Sequence, residues 1–179
     1  VELSFRQKLF RNLEEKQRIG CKAAELILDN ETIFLEAGTT VIQIVPHLRA
    51  KKNVTVVTNC LNVAMEVVNL PNVRLIMVGG EIREKSYAFV GPLAEKALEE
   101  LFREIHVNKL FIGVDGISVR EGLTTPSIDE ARINRKMIDL IPERIVVADH
   151  TKFGVQALSR IAPVTMIQTI ITDNDDNDE

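Results

Sequence analysis

Five short clusters of glycine, hydroxyl, amide and charged residues interrupt an otherwise apolar chain, and together they have the chemistry of an anion-binding cleft. They are Glu36-Ala37-Gly38-Thr39-Thr40, Thr58-Asn59, Gly79-Gly80, Asp115-Gly116 and Asp149-His150-Thr151-Lys152. Gly38 lets backbone approach a ligand closely, and the helix start after it presents free N–H groups, to which Thr39 and Thr40 add hydroxyl donors. A helix N-terminus contributes about 0.3–1 kcal/mol for an anion, and up to about 2 kcal/mol when partly buried. Tight binding of a phosphate therefore needs a cation as well, and Lys152 is the candidate, acting as a point charge.

The carboxylates need another partner. An unpaired carboxylate about 6 Å from a phosphate charge costs roughly 3 kcal/mol at an effective dielectric near 20. Glu36, Asp115 and Glu130 are therefore assigned to neutral hydroxyls. A ligand with phosphate at one end and hydroxyls at the other, such as a sugar phosphate, satisfies both sets. Taken singly, each cluster also reads as a helix cap or strand-end turn, and Glu130 also reads as a solvent-exposed helix residue.

Other chemistries find less support. His47, His106 and His150 are scattered without metal-ligand spacing. Neither a GxSxG nor a Walker pattern occurs. The glycines of Gly113-Val-Asp-Gly116 with Gly122 have the wrong spacing for a dinucleotide fingerprint. No cofactor, metal or catalytic residue is assigned.

The elements that must position these residues follow from the apolar pattern. Residues 5–28 carry apolar positions at helical spacing and predict one long helix ended by Asp29-Asn30. Short runs rich in Val, Ile and Phe at 32–35, 54–57, 73–78, 109–114, 144–148 and 166–171 predict strands buried on both faces. Helical patterns at 39–48, 61–69, 92–103 and 127–141 lie between several of them, with Pro46 expected to kink or shorten the first. This alternation predicts right-handed βαβ units and an α/β fold with a parallel sheet, Rossmann-like, in three layers. Every cluster except the lone Glu130 follows the carboxyl end of a predicted strand, the edge where open parallel sheets bind ligands. Residues 81–90 break the alternation and read as an irregular excursion or a small hairpin with an exposed Tyr87.

With 179 residues, 45% of them hydrophobic, the chain suits one domain with a real core. That domain is placed at residues 1–173, followed by an acidic tail at 174–179 expected to be disordered. The formal net charge of −4 argues against a self-sufficient nucleic-acid binder. The basic residues of Arg132-Ile-Asn-Arg-Lys136 read as one solvated helix face. No stretch is long and apolar enough for a transmembrane helix, and the start has no signal-peptide profile. The initial Val1 suggests that something upstream has been removed. Cys21 and Cys60 lie in apolar surroundings and predict buried, reduced thiols of a cytoplasmic protein.

From about Phe5 to Asp173 the sequence resembles the effector-binding region of the DeoR family of bacterial regulators. The landmarks are Asn12-Leu-Glu-Glu-Lys16, Phe34-Leu-Glu-Ala-Gly-Thr-Thr40, Val56-Val-Thr-Asn59 and Val78-Gly-Gly80, then Phe89-Val-Gly-Pro92, Phe111-Ile-Gly-Val-Asp-Gly116, Ala148-Asp-His-Thr-Lys-Phe-Gly154 and Ile171-Thr-Asp173. The resemblance implies a fold similar to ribose-5-phosphate isomerase and to the glucosamine-phosphate deaminase and coenzyme A transferase group. It implies a phosphorylated sugar or related metabolite as effector, bound at Glu36, Gly38, Thr39, Thr40, Thr58, Asn59, Gly79, Gly80, Asp115, Gly116, Glu130 and Lys152 to relieve repression. It also implies a homo-oligomer that meets DNA only through a helix-turn-helix preceding the region, to which residues 1–28 connect. The family more often has Asp where this chain has Glu36, and the extra methylene moves that carboxylate.

Two alternatives use the same residues. An aldose–ketose phosphate isomerase needs a base beside a carbonyl and donors for the enediolate oxygen, roles open to Glu130, Asp115 and Lys152. A structural oligomerisation module would use the first helix and the Tyr87 excursion for subunit contacts.

Overall fold

In the computed structural model, which describes residues 1–173, the chain opens on a capping box. Ser4 Oγ accepts from Gln7 N at 3.3 Å, and Ser4 N donates to Gln7 Oε1 at 2.8 Å, which starts α1 (Phe5–Leu9). The single long helix expected here is two. At Asn12 the backbone turns left-handed, φ 51°, and α2 (Leu13–Ala24) begins in a new direction. Asparagine takes this conformation more readily than other non-glycine residues, and the apolar spacing of Leu9 and Leu13 runs through the bend without marking it.

Thereafter strands and helices alternate largely as the pattern predicts: β1 (Thr32–Leu35), a 3-10 helix (Val41–Ala50), β2 (Val54–Thr58), α3 (Leu61–Val68) and β3 (Val73–Met77). Pro46, which lacks an N–H and crowds the preceding turn, lies inside the 3-10 segment. Residues 81–90 form the hairpin, β4 (Glu81–Arg83) with β5 (Ala88–Val90). Tyr87 is half-buried, not exposed: it holds φ 57° and meets Phe5 edge-on, ring centroids 5.9 Å apart. Its ring is thus used within the chain.

Next come α4 (Gly91–Glu104), β6 (Lys109–Ile112), β7 (Gly116–Ser118), β8 (Gly122–Thr125), α5 (Ile128–Leu140) and β9 (Glu143–Val147). A 3-10 turn (His150–Lys152), β10 (Ser159–Ala162), a second 3-10 turn (Val164–Met166) and β11 (Thr169–Ile171) complete the described chain. The tail expected to be disordered, 174–179, lies outside the described residues.

Six strands form one sheet in the order β11-β9-β6-β1-β2-β3, every pairing parallel. The two central strands are the driest: Ile33, Phe34, Leu35, Leu110, Phe111 and Ile112 are fully buried. One face is covered by α2, the long 3-10 helix and α3, the other by α4 and α5. Arg132 and Lys136 pair across the last two helices with Glu95 and Glu99. A small antiparallel sheet, β10-β8-β7, adds to the predicted architecture. Its strands are three or four residues long, rich in Gly, Ser and Thr, and carry little periodic signal.

The expectation of two buried thiols holds for Cys60; Cys21 is exposed on α2. Among the described residues, no helix is long and apolar enough to cross a membrane.

Candidate functional site

The order of strands reverses between β1 and β6, since the chain builds outward from β1 to β3 and then returns to the other side. That switch point parts the loops at the strand ends and leaves a crevice. A pocket open to solvent lies there.

Three strand ends supply its floor. Glu36 and Ala37 continue β1, Gly113 to Asp115 continue β6, and Val147 ends β9. They crowd together at Gly113, whose Cα faces Val41 Cγ2, the Ala37 carbonyl and the Val147 carbonyl, each within about 4 Å of where a Cβ would stand. The Gly38-Thr39-Thr40 turn forms one wall. Its first bonds run from Ile42 N to Gly38 O and from Gln43 N to Thr40 O, both 3.1 Å, so the amides before Ile42 form the open end of the 3-10 helix. Lys152, half-buried, enters from the loop after β9. That loop is tied at both sides. Asp149 caps it through Thr151 N at 3.0 Å, and Asp173 accepts from His150 N at 2.8 Å while its other oxygen lies 2.7 Å from His150 Nδ1.

The three carboxyl groups sit in different surroundings. Glu36 is almost wholly buried, and burial first, then the Glu130 charge, holds its carboxyl well above the ordinary glutamate range. With its amide nitrogen facing inward, Asn134 of α5 donates to Glu36 Oε1 and to the Glu130 carbonyl, each at 3.3 Å. Asp115 accepts from Lys8 Nζ at 2.9 Å and from Thr125 Oγ1 at 3.1 Å. Glu130 is buried, not solvent-exposed; it accepts from Arg83 Nη1 at 3.2 Å and from Ser86 Oγ.

Of the residues predicted from sequence, the pocket thus gathers Glu36, Gly38, Thr39, Thr40, Asp115, Glu130 and Lys152. It is not lined by Thr58, Asn59, Gly79, Gly80 or Gly116. β2 and β3 lie on the far side of β1 from the switch point. Thr58 Oγ1 donates to the Leu35 carbonyl at 2.6 Å, and Asn59 Nδ2 donates to the Phe89 carbonyl at 3.2 Å, fastening the hairpin. Gly80 lets α4 approach, for a Cβ there would stand 2.7 Å from the Ala94 Cβ, while a Cβ at Gly79 would meet open space. At Gly116 a Cβ would stand 2.2 Å from the Val155 carbonyl oxygen.

Sequence reasoning misses the N-terminal and hairpin contributions. Glu2, Phe5 and Lys8 line the pocket, as do Lys85 and Ser86, and none follows a strand of the main sheet. Lys16 stands out in the sequence only as the last residue of a family landmark. It is buried, donates to the Lys8 carbonyl at 2.7 Å, and is brought down to about 8 by burial, against the opposing pull of Asp149 and with help from Lys152. Among the described residues, no group of three or more His, Cys, Asp or Glu side chains is arranged to hold a metal ion.

The family model described as the DeoR C terminal sensor domain matches residues 11–174. A putative aga operon transcriptional repressor of Escherichia coli O157:H7 is 36% identical, over 97% of this chain and 63% of its own length. The HTH-type transcriptional regulator GolR of Listeria innocua is 32% identical over 96% of this chain and 66% of its own length. The chain therefore spans a little under two thirds of the length of these two relatives. Among solved structures, the backbone is similar to ribose 5-phosphate isomerase from Plasmodium falciparum, with a TM-score of 0.54, 14% identity and coverage of 77% of this chain and 52% of that one. It is also similar to the translation initiation factor eIF-2B of Pyrococcus horikoshii OT3, with a TM-score of 0.62, 18% identity and coverage of 92% and 64%. At these identities the likeness is one of fold, the α/β parallel-sheet architecture that the alternation of elements predicts.

Proposed function

The chain belongs to the DeoR C-terminal sensor domain family, and on that premise we propose that its pocket binds a phosphorylated sugar or a related phosphorylated metabolite as the effector of a transcriptional repressor. Its relatives are transcriptional repressors and regulators. One observation carries the choice of ligand: the open 3-10 helix end at Thr39-Thr40 and Lys152 line the same pocket as Glu36, Asp115 and Glu130. The first pair suits a phosphate, by backbone N–H groups and a point charge. The carboxyl groups suit hydroxyls. In the whole protein, DNA would be met by a part outside this chain, in keeping with the HTH-type names of relatives, and the repressor would work as a homo-oligomer.

Turnover is the competing reading, favoured by the backbone likeness to ribose 5-phosphate isomerase. Against it, Glu130, the carboxylate best suited to act as base, is held by Arg83 and Ser86. Incubation with ribose 5-phosphate separates the two: ketose formed at enzymatic rates sinks the sensor-only reading.

The direct test is a thermal-shift panel of sugar phosphates, each paired with its unphosphorylated sugar, repeated on Lys152→Ala. Ligand at about 100 times its dissociation constant adds about 2.7 kcal/mol, or roughly 5–10 °C for a chain of this size. A shift with a phosphate ester but not with its parent sugar, reduced in the variant, is the expected result. No shift across the panel counts against a phosphorylated effector.

A further inference from the structure

We propose that α1 is a latch on the pocket, held by Lys8 on Asp115, and that a ligand whose hydroxyls engage Asp115 and Glu130 releases it. The inference rests on the pocket being the effector site. Its geometry lies in the segment before Asn12. Five residues make too short a helix to stand alone in water, so α1 persists through its docking contacts. Phe5 is buried against Tyr87, and its backbone N–H donates to the Lys85 carbonyl at 2.8 Å. Lys8 bonds Asp115 at 2.9 Å. Glu2 pairs with Arg83, which in turn holds Glu130 at 3.2 Å.

Both carboxylates reached in this way line the pocket, and so do Glu2, Phe5 and Lys8 themselves. A ligand hydroxyl that bonds to Asp115 competes with the Lys8 ammonium for the same oxygens. One that bonds to Glu130 competes with Arg83, the residue that also pairs with Glu2. The bend at Asn12 is the hinge about which α1 lifts while α2 stays packed against the long 3-10 helix. The movement also requires Lys16 Nζ to give up its 2.7 Å bond to the Lys8 carbonyl. Docking of α1 and ligand binding are then linked, and linkage runs both ways: what weakens the latch strengthens the ligand, and the ligand frees the latch.

Hydrogen exchange on the full chain tests this. In ligand-free protein, Asp115→Asn should speed exchange of residues 1–12 about tenfold while β1 and β6 stay protected, which also verifies folding; unchanged exchange in 1–12 overturns the latch. In a second arm, ribose 5-phosphate, fructose 6-phosphate and glucosamine 6-phosphate are each titrated into wild type and Lys8→Met. The expected result is faster exchange of residues 1–12 on binding, and about tenfold tighter binding in the variant because the competent state is no longer latched. Slower exchange on binding, or weaker binding by Lys8→Met, overturns it. If none of the three binds, the effector reading is what fails for these compounds, and the Asp115→Asn exchange still decides whether the latch exists.

Discussion

Lys16 Nζ donates to the backbone oxygen of Lys8 over 2.7 Å, a buried ammonium that bridges α1 and α2 across the bend at Asn12. The sequence landmark Asn12-Leu-Glu-Glu-Lys16 thereby acquires a physical meaning. Asparagine makes the corner, and the lysine one helical turn later closes it. Burial holds that ammonium close to losing its proton, and the Asp149 charge restrains it.

Binding of a phosphate ester should therefore weaken as pH rises through about 8, where Lys16 gives up its charge. Lys16 and Lys152 act on each other electrostatically, so an anion held by Lys152 also favours the protonated form of Lys16. A phosphate monoester, with its second pKa near 6, stays a dianion across this range. Titration calorimetry at pH 7 and pH 9 should show the loss in wild type and little of it in Lys16→Met. Without ligand the sign reverses. The folded pKa lies below the ordinary 10.5, so the unfolded chain binds more protons between pH 8 and 10.5, and stability rises across that window.

Glu36 should give the opposite slope. Its folded pKa is raised, so the stabilising difference is fully present below the ordinary value of 4.5 and is lost as pH climbs through the folded value. Within the window each pH unit costs about 1.4 kcal/mol. Glu36→Gln keeps an oxygen for Asn134 and removes the titration. Urea midpoints measured from pH 5 to 8 should fall in wild type relative to the variant. Parallel pH profiles would show that Glu36 does not hold its proton in the folded state.

How much of this is legible in the sequence depends on the range of the interactions. The sheet strands and three of the crossover helices are written in local periodicity, and their ends fall within a few residues of the apolar runs. The bend at Asn12 is not, because Leu9 and Leu13 keep helical phase across it. The site is legible only where strand order is implied by chain order. Loops at Glu36, Asp115 and Lys152 flank the switch point or its neighbouring strand. Those at Asn59 and Gly80 follow strands on the far side of β1. The partners Lys8, Arg83 and Asn134 arrive from elements distant in sequence, and no local pattern announces which carboxylate each will meet.

The two thiols should react in sequence. Cys21 is exposed, whereas Cys60 is fully buried and burial pushes its thiol up to about 11. A thiol reagent at neutral pH should modify one cysteine at once and the second only with global opening, because the thiolate is the reactive form. Mass spectrometry of peptides after a short pulse should find the label on Cys21. Equal labelling of both would mean that the packing around β2 and the hairpin opens far more often than the buried core implies.

Two glycines that look alike in sequence should respond differently to alanine. Both Gly79 and Gly116 follow predicted strands, yet a Cβ at Gly79 would meet nothing within 4 Å, while one at Gly116 would stand 2.2 Å from the Val155 carbonyl oxygen and 2.4 Å from Thr124 Oγ1. Neither contact can yield cheaply: the first is backbone, and the second already accepts from Ala157 N at 3.0 Å. Overpacking of this kind costs about 1–3 kcal/mol, so Gly116→Ala should lose roughly 2–12 °C of melting temperature, and Gly79→Ala should stay within about 0.5 kcal/mol of wild type. Gly116 pairs with Thr124 beside Thr125, which donates to Asp115. A displaced β8 should therefore also weaken binding of any hydroxyl-bearing ligand to the pocket, an effect that Gly79→Ala should not share. Equal melting temperatures for the two variants would mean that the loop at Val155 moves aside without cost, and that the close approach of β7 to it does not depend on a missing side chain.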